Sequence, residues 1–291
     1  MDEPDWERLV WQLRNGQCTP FVGGGAAAGL LPTGAELSHL FAERYDYPFS
    51  DRHDLPRVIE YAESVVRDRV YLREEISRLF SSSLVLQNDA SRVHGTIARL
   101  PVPVYITTNF DDLLARALRE QGKSPRVLTF TWWAGPNERQ PDLLSDWVPS
   151  VDEPIVYHLH GHVADPGSLV LTENDYLTYL INLTEQAAAN GRPSLPIPVL
   201  NAITRQPLMF IGYSLQDWTF RVLFQGLLRS VPDVNRRRHV ACMLFPYLAD
   251  TGKIEEAARY LRHSLESWLI SVYFGTTSEF CDELRRRLEM G

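Results

Sequence analysis

Short apolar runs rich in β-branched residues alternate along the chain with longer stretches whose apolar positions return every three to four residues. That rhythm predicts strands and helices in turn around a mostly parallel sheet. Seven runs read as strands: Thr19 to Gly23, Val102 to Thr107, Arg126 to Phe130, Ile155 to Leu159, Pro207 to Gly212, His239 to Leu244 and Trp268 to Phe274. Most are followed by a helical pattern. The fold class expected is therefore α/β, a Rossmann-like, mostly parallel sheet with helices on both faces.

Between the first two strands lie about 80 residues that read as helical throughout, too many for one crossover. The helical stretches are Gly34 to Tyr45, Leu55 to Asp68, Tyr71 to Ser81 and Asp89 to Leu100, so an inserted helical lobe is expected over approximately 34–100. A second insertion is expected over 173–205, where a Tyr-rich helix precedes the loop Asn190 to Pro198. With no internal repeat or low-complexity tract, residues 1–291 read as a single domain. Trp6, Leu9 and Trp11 give the first helix apolar positions that could meet either the core or a neighbouring subunit.

Composition narrows the setting. A 44% hydrophobic content over 291 residues is ample for a full core. The net charge of -8 argues against a protein that coats nucleic-acid phosphates. Arg236-Arg237-Arg238 is a short basic run of the kind found in solvated loops, and no direct nucleic-acid binding is expected from it. The three cysteines, Cys18, Cys242 and Cys281, are too scattered for a disulfide framework or a zinc ribbon, which points to a reducing cytoplasm. The acidic start and the lack of a long apolar run point the same way, with no leader and no membrane span expected.

The chemistry gathers where strands end. Phe21-Val22-Gly23-Gly24-Gly25-Ala26-Ala27 runs from a strand into residues with almost no side chain, a turn whose backbone N–H groups can approach a pyrophosphate. The spacing matches neither a P-loop nor a full GxGxxG, and tight packing of strand on helix is the plainer explanation. Thr107-Thr108-Asn109-Phe110-Asp111-Asp112 closes another strand. Either aspartate can cap the following helix, Leu113 to Gln121, whereas capping leaves Asn109 unexplained; its amide can hold a water or a carboxamide. His158-Leu159-His160-Gly161-His162 invites a zinc reading, but no other ligand cluster has recognisable spacing. His160, before a glycine at a strand end, is placed to titrate near neutrality as a general base. Gly212-Tyr213-Ser214-Leu215 ends a fourth strand before the helical pattern Trp218 to Leu228, with Ser214 or Asp217 available as a cap.

Taken in this order, the four turns resemble the sirtuin superfamily. Gly23-Gly24-Gly25-Ala26-Ala27 is similar to its Gly-Ala-Gly-x-Ser loop, Thr108-Asn109-Phe110-Asp111 to its Gln-Asn-x-Asp motif, His160-Gly161 to its His-Gly, and Gly212-Tyr213-Ser214-Leu215 to its Gly-Thr-Ser-Leu. The resemblance covers residues 21 to 217 and implies a cleft for NAD. Asn109 would lie beside nicotinamide and its ribose, His160 would act as base, Asp111 would support the site, and Ser214 would contact the adenosine half. Gly23, Gly24, Gly25, Ala26, Thr108, Gly212 and Leu215 would complete the nucleotide site.

The departures redirect the expected chemistry. The two cysteine pairs of zinc-binding sirtuin deacetylases are absent, so no zinc is expected, while Phe110 and Ala27 stand where that family usually has Ile and Ser. These features look more like the bacterial sirtuin-like proteins that hydrolyse NAD in antiphage defence. The resemblance implies NAD as substrate, with nicotinamide and ADP-ribose as products. It also implies a homo-oligomer and a separate regulatory partner such as a HerA-type DNA translocase ATPase, since the short stretch after Ser214 is expected to hold no fused sensor. The alternatives are an NAD-dependent protein deacylase and a non-catalytic subunit that binds NAD or ADP-ribose.

Overall fold

The computed structural model describes residues 1–85, 92–133, 147–189, 195–213, 224, 235–244 and 253–289, without the side chains of 82–85 and 184–189. Seven short strands form one sheet: β1 (Thr19–Val22), β2 (Val104–Thr107), β3 (Arg126–Thr129), β4 (Ile155–His158), β5 (Leu208–Ile211), β6 (His239–Met243) and β7 (Ile270–Phe274). Their order is β3-β4-β2-β1-β5-β6-β7, and every pairing is parallel. All seven expected strands are present, each trimmed by a residue or two. β1, β2, β4 and β5 are buried along their whole length, as continuous apolar runs predict for strands covered on both faces.

Ten α-helices are described. They are α1 (Glu3–Arg14), α2 (Gly34–Arg44), α3 (Leu55–Val66), α4 (Arg69–Val85), α5 (Arg92–Ala98), α6 (Leu113–Glu120), α7 (Glu173–Ala189), α8 (Ile197–Arg205), α9 (Ile254–Glu266) and α10 (Thr277–Glu289). Local chemistry sets several of their starts. Capping boxes Asp2/Asp5 and Thr33/Glu36 open α1 and α2, and Asp54 caps α3, whose second residue is Pro56. The helical pattern Trp218 to Leu228 lies outside the described residues apart from Phe224.

Among the described residues, three hydrophobic clusters organise the fold. One face of the sheet packs Phe21, Ile106, Tyr157 and Phe210 against Tyr179 of α7, Val199 and Ile203 of α8 and Leu265 of α9. The other packs Val22, Tyr105 and Ile211 against Leu9 of α1, Ile97 of α5, Leu114 of α6 and Phe280 of α10. Trp6 joins that second core with Leu9, whereas Trp11 is 58% exposed. The third cluster is the centre of the helical lobe, with Leu37 and Phe41 of α2, Ile59 of α3 and Ile76 of α4 closing on Leu169 and Leu171.

The lobe is tighter than the span 34–100. Its core comprises α2, α3 and α4, while α5 turns Val93, Ile97 and Ala98 into the sheet core, because its apolar face leads directly into Leu100 and Val102 ahead of β2. Likewise α7 and α8, within the expected insertion 173–205, cover the first face of the sheet.

Candidate active site

The strand order reverses beside β1. The chain builds β2, β4 and β3 to one side, then returns as β5 on the other, and such a reversal opens a crevice at the carboxyl ends of the strands. The four expected turns meet there. Gly24, Gly25, Thr108, Asn109, Asp111, His160 and Gly212 line one cavity of about 320 Å³. Leu31, Leu37, Leu55 and Phe80 of the lobe form its opposite wall, and Tyr176 of α7 and Tyr213 add aromatic surface. No described residue lining it is a lysine or arginine.

The three glycines of the first turn have different tasks. Gly23 N–H donates to the Ile211 carbonyl at 2.9 Å, and Gly25 N–H to that of Gly212 at 2.8 Å. Gly212 sits at φ +68, and a Cβ there would lie 2.3 Å from the Ala26 nitrogen; one on Gly23 would lie 2.7 Å from the Gly212 oxygen. Gly23, Gly25 and Gly212 are thus an interlock between the turns after β1 and β5. Gly24 alone has no heavy atom within 4 Å of such a Cβ and faces the cavity. Gly23 and Ala26 stand behind the lining, Ala26 within the sheet core. Ser214 and Leu215 lie outside the described residues.

The second turn holds Asn109 by its backbone. Thr107 Oγ1 donates to the Val22 carbonyl at 3.0 Å and accepts the Asn109 N–H at 3.0 Å, while His158 Nδ1 lies 2.8 Å from the Asn109 carbonyl oxygen. A carbonyl only accepts, so His158 carries its proton on Nδ1. The side-chain Nδ2 of Asn109 is buried without a hydrogen-bond partner. A buried amide donor without a partner is rare in a folded protein, and the residue that carries this one lines the cavity.

The two aspartates divide the roles left open by the sequence. Asp111 Oδ1 accepts the Leu113 N–H at 2.9 Å and so caps α6. Its carboxyl is buried at the cavity, and burial pushes its pKa up to about 6 against the pull of that bond and of His162. Asp112 makes no cap and faces Arg119 at 3.0 Å and His162 Nε2 at 3.8 Å. Burial works against its charge, yet His162 and Arg119 hold its pKa below the ordinary value.

The histidines differ from the expectation in two ways. His160 reaches the cavity, but burial pushes its pKa down to about 4, so it is a neutral imidazole at physiological pH, not one titrating near neutrality. Its ring meets Tyr176 and Tyr179 edge to face, at 5.3 and 5.2 Å between centroids. His158, for which no separate task was expected, is pushed down to about 3, mainly by burial. His162 accepts the Ala164 N–H on Nδ1 at 3.1 Å, so both outer histidines of the HxHxH spacing use Nδ1 within the protein. After His160 the chain reverses at Gly161, φ +97, whose Cβ position lies 2.3 Å from the Ser168 oxygen.

That reversal also ties the lobe to the site. Ser77 Oγ of α4 donates to the Val163 carbonyl at 2.6 Å, and the buried Arg73 donates to the Leu169 carbonyl and to Asp175 Oδ2, the latter at 2.5 Å. Asp175 is fully buried, also receives Arg69, and accepts the Leu171 and Thr172 N–H groups at 3.0 and 3.1 Å. Sequence reasoning missed this cluster, because its ion pairs join residues about a hundred positions apart. Thr172 followed by Asp175 at capping spacing was its only local sign.

Comparison with known proteins identifies the family of the chain. The family model of the SIR2-like domain matches residues 103–271. The NAD(+) hydrolase ThsA of Enterococcus faecium is 30% identical over 156 residues, 53% of this chain and 28% of that protein. The NAD(+) hydrolase ThsA of Bacillus cereus (strain MSX-D12) is 23% identical over 220 residues, 75% and 41% of the two, and its namesake in Acinetobacter baumannii (strain 532279) is 21% identical over 238 residues, 80% and 43%. The chain spans less than half the length of these relatives. Since the matched stretch is more than half of the chain and carries three of the four strand-end turns, the chain belongs to the SIR2-like domain family.

Proposed function

We propose that the chain hydrolyses NAD at the nicotinamide-ribose bond, releasing nicotinamide and ADP-ribose. The observation that carries this reading is Asn109, whose Nδ2 is buried without a partner, lining the same cavity as His160 and Gly24. The NAD(+) hydrolase names of the relatives support it. Nicotinamide leaves with the electrons of the broken C–N bond, the ribose carbon becomes oxocarbenium-like, and water adds to it and gives up a proton. Asn109 orients the carboxamide and the attacking water. His160 accepts a hydrogen bond from a ribose hydroxyl or from that water, and Asp111, when ionised, faces the developing positive charge. Gly24 leaves room for the backbone to approach the diphosphate.

The test follows NAD and its products by chromatography for wild type, Asn109→Ala and His160→Ala, each alone and with the product of a neighbouring gene. Both substitutions should lower nicotinamide release by about 100-fold or more. Full activity in Asn109→Ala would remove the assignment. Formation of acyl-ADP-ribose from an acylated peptide would favour a deacylase, and tight NAD binding with no turnover in any assembly a binding subunit.

In the cell the reading extends to a cytoplasmic effector of antiphage defence that depletes NAD, acts as a homo-oligomer, and is controlled by a separate HerA-type DNA translocase ATPase. Three free buried cysteines suit a reducing compartment. Among the described residues no helix is long and apolar enough to cross a membrane.

A further inference from the structure

His158 is not a residue of the cavity lining, yet its ring meets the backbone carbonyl of one that is and forms the second half of a clamp. Asn109 is gripped at its N–H by Thr107 Oγ1 and at its carbonyl by His158 Nδ1, 3.0 and 2.8 Å away. Thr107 is fixed in turn by its bond to Val22 on the neighbouring strand. Both backbone groups of Asn109, a residue of the cavity lining, are thus held, while its side-chain Nδ2 is buried with no hydrogen-bond partner.

The imidazole is itself held. The His162 ring meets it edge to face at 4.6 Å, His162 is oriented by the Ala164 N–H on Nδ1 and by Asp112 near Nε2, and Arg119 anchors Asp112. His158 Nε2 is buried with no hydrogen-bond partner. A buried ring nitrogen left unsatisfied is costly relative to an apolar residue, and a site shaped by packing alone would have no use for it.

Resting on the reading of the cavity as an NAD-cleaving site, we propose that His158 is a positioning residue, which locks Asn109 through its backbone carbonyl and so aims the Asn109 carboxamide at the reacting ribose. A small misplacement of such a group lowers the rate of the chemical step more than it weakens substrate binding. The ring must donate from its Nδ1 position, and an asparagine carries an N–H at nearly the same place. A leucine fills the space without donating.

The experiment measures nicotinamide release by the assembly that turns over NAD, for wild type, His158→Leu, His158→Asn and Thr107→Val, with thermal unfolding recorded for each. His158→Leu and Thr107→Val should lower kcat by 10- to 100-fold with KM changed less than threefold, and His158→Asn should stay within threefold of wild type. Wild-type kcat in a folded His158→Leu, a loss expressed mainly in KM, or an asparagine variant no better than leucine would overturn the clamp. If His158→Leu does not fold, Thr107→Val decides by the same criterion. A wild type that releases no nicotinamide in any assembly defeats the cleavage reading instead. The clamp is then judged from the Asn109 side-chain amide signals in NMR spectra, which His158→Leu should shift or broaden and His158→Asn preserve. Signals unmoved by His158→Leu overturn it.

Discussion

Gly23, Gly24 and Gly25 are identical in the sequence and different in the molecule. The first and third fill spaces in which a Cβ would lie less than 3.0 Å from the turn after β5, while the second borders open cavity. Two substitutions separate these roles. Gly212→Ala meets the Ala26 nitrogen and keeps a left-handed backbone, so it should cost about 1–3 kcal/mol from strain alone and more from the clash. Gly24→Ala should leave the unfolding temperature within about 2 °C of wild type and weaken NAD binding. Thermal unfolding paired with a binding titration checks both; equal thermal loss in the two variants would contradict the division. The histidines teach the same lesson. Position at a strand end singled out His160, but only the direction of its neighbours' hydrogen bonds reveals what His158 holds. Burial, which no spacing rule registers, sets their charge.

At the scale of elements, the sequence was most legible where one local rule decides the outcome. Continuous apolar runs flanked by turn residues located all seven strands. What periodicity could not show is which core an amphipathic helix joins: α5 has the same pattern as its neighbours in the lobe but packs on the sheet. The link between α4 and α7 was equally hidden. Arg73 and Asp175 are both buried, so deleting one partner strands the other in a dry environment. Asp175→Ala should destabilise the protein by about 3–5 kcal/mol in urea unfolding. A loss below about 1 kcal/mol would mean that the pair is merely a surface contact.

For the whole molecule, pH is the most direct probe of the buried histidines. His94, His160 and His239 are held near a pKa of about 4 and His158 near about 3, mainly by burial, all below the unfolded value of about 6.5. The unfolded chain therefore takes up their protons first. Stability present above pH 6.5 is lost as the pH falls towards 4, by about 1.4 kcal/mol per unit for each imidazole. Asp111 acts in the opposite sense, because its raised pKa of about 6 makes the folded state the better proton acceptor between about 6 and its unfolded value. Four groups outweigh one, so the unfolding temperature should fall steeply from pH 6.5 to 4.5; a flat profile would show that these rings are not held neutral.

The cavity has walls from two bodies with separate centres, one being the three helices of the lobe and the other the sheet with its covering helices. A molecule lodged between them acts as a non-covalent cross-link. Its binding energy is spent partly on keeping the two cores together, so occupancy and docking of the lobe are thermodynamically linked. Anything that presses the lobe onto the sheet from outside then sharpens the site without touching it, and anything that pries the lobe away dulls it. Under the proposed NAD-cleaving function, the seam between the two cores is thus a point at which that activity can be held in check.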